Sequence, residues 1–334
     1  MNPIQPLSTR REINVVEPVS PALEHVKDML FRPFDLGRWF VIGFCAWLAQ
    51  LGETGSGFGG NYNFGNHRQQ NGTDFRHALD QARDYLLNNL DWIIPLAVVI
   101  VVFCLGLWTL CLWLNSRGKF MFLHCVALNQ AEVSKPWDQF VHEGNSLFLF
   151  RLGLGLVGGV LTVPLLVVIA ISVLRMVYQG EADIGGIMLS IGLGMAFLLV
   201  AILMALVHKF TVDFVVPVMF LRRIRCWDAW REFLGLLSAH VGTFALYILF
   251  QIVLGMAIGT LVIIVFVVTC CIACCLMALP FLGTVLLLPV LVFKRAYSLC
   301  FLAQFGPEYN VFPPAPPTLP APGLPPMPVA PPLM

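Results

Sequence analysis

Residues 241–293 read VGTFALYILFQIVLGMAIGTLVIIVFVVTCCIACCLMALPFLGTVLLLPVLVF and contain no Asp, Glu, Lys or Arg. A helix crosses the hydrocarbon core of a bilayer with about 20 mostly apolar residues. The run is therefore too long for one span and fits two, joined by a tight turn near residues 269–275. That reading sets the class as an all-α membrane protein, and the rest of the chain is read outward from it.

Composition agrees. Of 334 residues, 58% are apolar or aromatic and 12% are charged, and the mean hydropathy is +0.81. Soluble domains average about 45–50% apolar and about 25% charged, so this chain uses lipid as part of its solvent. Lys and Arg number 20 against 19 Asp and Glu, a balance without the basic excess that draws a protein onto nucleic acid. No nucleic-acid partner is expected. Further apolar runs occupy residues 36–51, 93–114, 149–174 and 187–207. With 241–265 and 273–293 they make six expected transmembrane helices, arranged as three hairpins joined by cytoplasmic interfacial amphipathic helices. The first run is the shortest and carries Arg38 near its start, where the side chain can snorkel to the interface.

Orientation follows from the cations. With the N-terminus in the cytoplasm, the outer side keeps only Arg68, Arg76, Arg83 and Arg175, and the other sixteen Lys and Arg fall inside. This is a strong positive-inside asymmetry. It places both termini in the cytoplasm, the loop 52–91 outside, and anionic lipid headgroups of the cytoplasmic leaflet among the expected partners. Residues 1–35 lack the compact apolar core of a cleavable signal peptide, so the first span is expected to act as its own insertion signal.

Residues 1–19 have no periodicity and are expected to be disordered. Ser20-Pro21 suits a helix start, an N-cap followed by Pro at the first helical position. Leu23, Val26, Leu30 and Phe34 then repeat at helical spacing opposite Glu24, Lys27 and Asp28, the pattern of an amphipathic helix on the membrane surface. The loop 52–91 opens with GETGSGFGGNYNFGN, which can bury little, and turns more helical in pattern from residue 74. Asn71-Gly72-Thr73 matches a glycosylation sequon that matters only in a eukaryotic secretory setting. The tail, residues 311–334, holds eleven prolines from Pro313 onward. It reads as a solvated polyproline or disordered segment, with docking to an aromatic groove of a protein partner as the alternative.

A two-helix unit repeats weakly. Pro217-Val-Met-Phe-Leu-Arg-Arg is matched in register by Pro289-Val-Leu-Val-Phe-Lys-Arg, and Trp137-Asp-Gln-Phe140 by Trp230-Arg-Glu-Phe233. Trp and basic residues favour the membrane interface, so Trp137, Trp227, Trp230, Arg222, Arg223 and Arg225 are expected as interfacial anchors. Such repeats occur in transporters, and plain duplication of a hairpin produces the same pattern.

The runs SRGKFMFLHCVALN (116–129), PWDQF (136–140), EGNSLFLFRLG (143–153) and TCCIACCLMALPFLGTVLLLPVLVFKRAYSLCFLAQFGPEY (269–309) together resemble an uncharacterised family of bacterial multi-pass membrane proteins. That family is distantly similar to the membrane domain attached to some glycerophosphodiester phosphodiesterases. The resemblance covers roughly residues 20–310 and implies a bacterial inner-membrane location and a helical bundle without established activity. The catalytic barrel of the phosphodiesterases, which needs about 250 residues, has no room here, so no catalytic residue carries over.

Charges within or beside the spans carry the most chemical weight, because each costs a few kcal/mol in lipid unless paired or wetted. Lys209 and Asp213 are four apart and share a helical face. A fourth span continued to Arg222 would be about 54 Å long, so this segment must bend, project or lie in the interface, with Pro217 as a candidate break. An ion pair anchoring that bend is one reading. A proton or ion relay through Arg151, His208 and Asp213 is the other. Cys270, Cys271, Cys274 and Cys275 read first as small packing residues in a tight outer turn, with a disulfide or a metal as alternatives, since four-Cys metal sites usually draw on two separated pairs. Gly155 and Gly159, Gly255 and Gly259, and the looser Gly186, Ser190 and Gly194 make small-residue faces for close helix packing. No P-loop, HExxH, GxSxG or dinucleotide fingerprint is present, so neither enzymatic activity nor a cofactor is expected. The functional expectation is a non-enzymatic scaffold or accessory membrane component, with a transporter or ion-coupled permease as the alternative.

Overall fold

The computed structural model describes residues 13–53, 81, 85, 88–179, 184–269 and 280–312, and these are helical with short connections and no strand among them. The helices are α1 (Val19–Leu30), α2 (Leu36–Gln50), α3 (Leu90–Leu128), α4 (Ser134–Gln139), α5 (Val141–Gln179) and α6 (Ile184–Phe210). A π-helical segment (Thr211–Val215) then leads directly into α7 (Val216–Arg222). After it come α8 (Cys226–Ala239), α9 (Val241–Val268), α10 (Pro280–Leu286), α11 (Leu288–Ala303) and a 3-10 turn at Pro307–Tyr309.

Among the described residues, four helices are long and apolar enough to cross a membrane: α3, α5, α6 with its continuation to Arg222, and α9. Helix α2 has 15 residues, about 22 Å at 1.5 Å per residue. Within the sixth expected run, residues 280–293 are divided between α10 and the start of α11, and the stretch 270–279, with the cysteine cluster, lies outside the described residues. The sequon and the proline-rich tail lie outside them too.

Each long helix divides into an apolar part and a packed part. In α3, Val98 to Phe103 are all more than half exposed, whereas Phe120, Leu123, Cys125 and Val126 are buried. In α5 the bare stretch includes Val160 and Val163, and in α6 it includes Leu199 and Leu203. The most apolar stretches of α3, α5 and α6 bury no residue, which suits surfaces meant for lipid. The hydrophobic core is formed by the other ends of these helices together with α1, α2, α8 and α11.

The closest pairing in the core is α2 against the C-terminal third of α3. The two run antiparallel: Arg38 Nη2 donates to the Asn129 carbonyl and Oδ1 at 3.0 Å each, and Asn115 Nδ2 donates to the carbonyls of Ala49 at 2.8 Å and Leu51 at 2.9 Å. Gly118 permits this approach, because a Cβ there would lie 2.6 Å from both Ala49 N and Leu48 C. Helix α2 therefore accompanies residues 115–129 of α3 and not its bare apolar stretch.

Helix α1 begins at Val19, one residue earlier than Ser20, with no side-chain cap. Its buried face is Ala22, Val26, Met29 and Leu30, which docks on α11, while Leu23 and Phe34 are 46% and 59% exposed. The amphipathic stripe is thus rotated by part of a turn toward a protein partner. Ahead of it, Tyr297 donates to the Val15 carbonyl at 2.8 Å, and Gln304 exchanges bonds of 2.8 and 2.9 Å with the Asn14 backbone. These contacts hold part of the N-terminal segment expected to be disordered.

The continuation of α6 projects into the core. Pro217 falls in the first turn of α7, where its missing N–H is least costly, and the ladder widens just before it into the π turn. That turn carries Phe214 into an aromatic cluster: its ring stacks on Phe233 at 5.3 Å and meets Phe244 at 5.1 Å and Tyr247 at 5.0 Å.

The small-residue faces differ from expectation. A Cβ at Gly159, Gly186, Gly194 or Gly255 would meet nothing within 4 Å, and the neighbours on α5 are the Trp108 ring at 3.2 Å from Gly155 and Met204 at 3.8 Å from Gly158. Spacing alone identifies small surfaces, of which only part meets a neighbouring helix among the described residues.

Substituting Gly118→Ala is expected to force α2 and α3 apart and destabilise the protein by about 1–3 kcal/mol, read as a lowered melting temperature in detergent. Gly159→Ala, on a bare face, is expected to leave the melting temperature within a degree or so of the parent. Equal tolerance of both would contradict the α2–α3 packing described here.

Candidate functional site

Where the bare part of α6 gives way to the core, α2, α3, α6, the π turn and α11 enclose a cavity of about 660 Å³. Its charged lining is Glu53, Lys119, Lys209, Asp213, Lys294 and Arg295, with His208 beside them. Four basic side chains thus face two carboxylates. The remaining wall is largely apolar, with Ala46, Phe122, Met204 and Leu291 among its residues.

Glu53, just past the end of α2, is the hub of the first polar cluster. Its Oε1 lies 2.6 Å from Lys119 Nζ, 2.8 Å from Arg151 Nη2 and 3.5 Å from His208 Nε2. Arg151 also donates to Asn115 Oδ1, which ties α5 to the α2–α3 pair. Burial pushes the Glu53 carboxyl up, but Lys119, His208 and Arg151 outweigh it and hold the group well below the usual carboxylate range. Lys119 and Arg151 are themselves buried, so each depends on this one acid for its counter-charge.

The second cluster forms on the π turn. Lys209 Nζ lies 2.8 Å from Asp213 Oδ2, as the four-residue spacing predicts. Tyr247 on α9 donates to the same oxygen at 3.0 Å, and Gln251 Nε2 donates to the Tyr247 hydroxyl at 3.0 Å. Oδ2 of Asp213 is therefore shared by partners from two elements.

Arg295, from α11, is 7% exposed and lines the cavity. Its Nη1 donates to the Val212 carbonyl in the π turn at 2.6 Å, whereas Nε and Nη2 have no hydrogen-bond partner among the described residues. Half-buried Lys294 beside it forms no ion pair among the described residues.

Of the four polar residues singled out in the sequence, His208, Lys209 and Asp213 line one cavity, and Arg151 reaches it through Glu53. Arg151 and Asp213 nevertheless belong to separate clusters. Sequence reading overlooked Glu53, Lys119, Arg295, Tyr247 and Gln251. In the sequence Glu53 borders a Gly-rich segment, and Lys119 and Arg295 stand out only as cations beside apolar runs. Their usable signal was a charge flanked on one side by an apolar helix.

The expected interfacial anchors are spread over several environments. Trp227 is 67% exposed and Arg225 is exposed, whereas Trp230 is buried against Phe150 and Phe233 at 5.9 and 5.6 Å. Trp137 and Trp113 flank Arg117 at 4.8 and 4.5 Å from their ring centres. Arg222 pairs with Glu232 at 2.8 Å, and Arg223 lies 3.9 Å over the Phe140 ring and donates to the Gln139 carbonyl. No group of three or more His, Cys, Asp or Glu suited to a metal occurs among the described residues.

Comparison with known sequences places the chain in a family of unknown function, DUF7544, whose model matches residues 13–288; the chain belongs to that family. No curated protein and no solved structure matches it, and no link to the glycerophosphodiester phosphodiesterases emerges.

A carboxyl held below its unfolded pKa contributes stability at neutral pH, and that contribution is lost as pH falls through the acid range. Glu53→Gln is expected to remove it and to leave Lys119 and Arg151 uncompensated, at a cost of about 3–5 kcal/mol. Melting temperatures of the two proteins, measured from pH 7 to pH 3, should start apart and converge on acidification. Parallel curves would show that Glu53 is not the counter-charge.

Proposed function

We propose that this chain is an integral membrane protein that binds a ligand in the charged cavity and works as a carrier, with no chemical conversion of what it binds. The observation that carries this reading is the convergence of four cations and two acids on one partly apolar cavity at the inner end of the spans. Ligand sites of this size are concave, mostly apolar and oriented by a few polar groups. A widened helical turn supplying both a carboxylate and a bonded backbone carbonyl is a further feature suited to function.

The same reading places the protein in a bacterial inner membrane with both termini in the cytoplasm, on the strength of the sixteen-to-four distribution of cations. It retains six spans as a proposal beyond the four long apolar helices. A purely scaffolding role gives no account of buried cations around an accessible cavity, since each is costly to bury unless compensated.

In proteoliposomes, Asp213→Asn is expected to insert normally and to lower solute flux by at least about tenfold, the effect of losing one charge-assisted partner set. An unchanged flux, or no stabilisation of the detergent-purified protein by any member of a broad panel of ions and metabolites, would favour the scaffold.

Orientation is checked by single thiols on a Cys-free background. Introduced cysteines Ser56→Cys and Asn66→Cys are expected to react with an impermeant maleimide in intact cells, and Ser134→Cys and Ala315→Cys only after permeabilisation. Labelling of position 315 from outside would overturn the arrangement.

A further inference from the structure

We propose that the outward face of α8 lies in the headgroup layer of an anionic bilayer surface, with Trp227 and Leu234 turned toward the acyl chains and Arg225 and Arg231 on the lipid phosphates. This surface is separate from the cavity and does not depend on what the cavity binds.

The residues expected at the interface divide by what the fold has done with them. Trp230 is packed into the core, Trp137 lies against Arg117, Arg222 is paired with Glu232, and Arg223 lies over Phe140. Those side chains already have protein partners. Trp227 and Arg225 stay exposed, and Arg225 forms no ion pair among the described residues.

Helical spacing adds what residue type alone does not. Trp227, Arg231, Leu234 and Ser238 are all exposed. At about 100° per residue they fall within about 60° of one line along α8. The buried residues of the helix, Cys226, Ala229, Trp230 and Phe233, face the core instead. The outward stripe therefore interleaves a tryptophan, an arginine and a leucine, with Arg225 at the helix N-cap. Arg231 also lacks an ion pair among the described residues. Asp228, the exposed acid of α8, sits off the stripe in the first turn, where the helix dipole suits it.

Continuity with the neighbouring span decides for lipid. Helix α8 ends at Ala239 and α9 begins at Val241, so His240 alone joins the stripe to a helix long and apolar enough to cross a membrane. With 14 residues, or about 21 Å, α8 cannot stand farther from the bilayer than its own length. Exposed apolar side chains continue from Leu234 to Val241, Leu246 and Leu249. A tryptophan ring favours headgroup level, and an arginine lays its stem on apolar surface while its guanidinium meets phosphate. A soluble acidic partner would satisfy the arginines but would have to stop at His240, where the same surface passes into lipid.

The test uses the full chain on a Cys-free background, with an environment-sensitive fluorophore on Leu234→Cys. The protein is reconstituted in vesicles of phosphatidylcholine and phosphatidylglycerol, and one lipid at a time is brominated near the glycerol end of a chain. Brominated phosphatidylglycerol is expected to quench at least about twice as strongly per mole as brominated phosphatidylcholine, and Arg225→Gln together with Arg231→Gln to bring the two nearly level. Both arginines are exposed, so the replacements are expected to leave the melting temperature unchanged. A fluorophore on Leu249→Cys, on the bare part of α9, should be quenched equally by both lipids. Equal quenching at position 234 in the parent overturns the anionic partner, as does a preference as strong at position 249. Quenching at 234 by iodide and by neither lipid overturns the bilayer surface and leaves a soluble partner. A preference that survives loss of both arginines removes them from the role.

Discussion

The structure depends on a mismatch between helix length and bilayer thickness. Helices α3 and α5 have 39 residues each, about 58 Å at 1.5 Å per residue, against a hydrocarbon core of about 30 Å. Roughly half of each helix must therefore find a surrounding other than lipid. The C-terminal ends of α3 and α6 and the N-terminal end of α5 meet that requirement by joining α1, α2, α8 and α11 in the core, which forms beside the bare apolar stretches and not among them. The polar residues Asn115, Lys119 and Arg151 all fall on the packed side of this division. Their placement follows from the length constraint before any functional consideration enters.

Once these residues are buried together, their electrostatics are tightly bound to each other. Glu53 reaches back from the end of α2 to neutralise charges contributed by α3 and α5, which couples the antiparallel α2–α3 pair to a third helix. The π turn couples a fourth, since it directs Phe214 into the aromatic cluster while Asp213 faces the cavity and the Val212 carbonyl faces Arg295. One irregular turn therefore serves packing, ion pairing and the cavity wall at once. Without the extra residue of this turn, the helix beyond it would be rotated by about 100° relative to α6, so residues before and after it could not both keep their present partners.

Much of this was legible in the sequence, and the pattern of what was not has a physical basis. The apolar runs 93–114, 149–174, 187–207 and 241–265 reappear in four long helices because lipid exposure selects continuous apolar composition, a local property. Lys209 and Asp213 were paired correctly because four residues on a helix are neighbours. Glu53 and Arg151 are separated by 98 positions, and nothing local announces that a carboxylate at the border of a Gly-rich segment compensates an arginine in the third apolar helix. The amphipathic face of α1 was read from spacing alone, which cannot distinguish a lipid surface from α11 as the partner. Small-residue spacing likewise marked faces capable of close approach without showing whether an approach occurs. Residue type points Trp230 to the interface, whereas its burial depends on Phe150 arriving from α5, beside Phe233 one turn along its own helix.

The cavity is the place where the length constraint and the charge distribution meet. A helix leaving lipid passes from a region where cations are unfavourable to one where they can be paired, and the transition on α6 falls between Met204 and Lys209. Across that boundary, α11 brings two further cations without acids of its own: the segment Leu291 to Leu302 contains Lys294 and Arg295 and no Asp or Glu. A core that needed only structural neutrality would pair Arg295 fully or replace it with an apolar residue, since an apolar substitute is often no less stable than a buried ion pair. Arg295 is instead held by one nitrogen on the Val212 carbonyl, so α11 and the π turn are tied together through a cation that adds positive charge to the cavity wall.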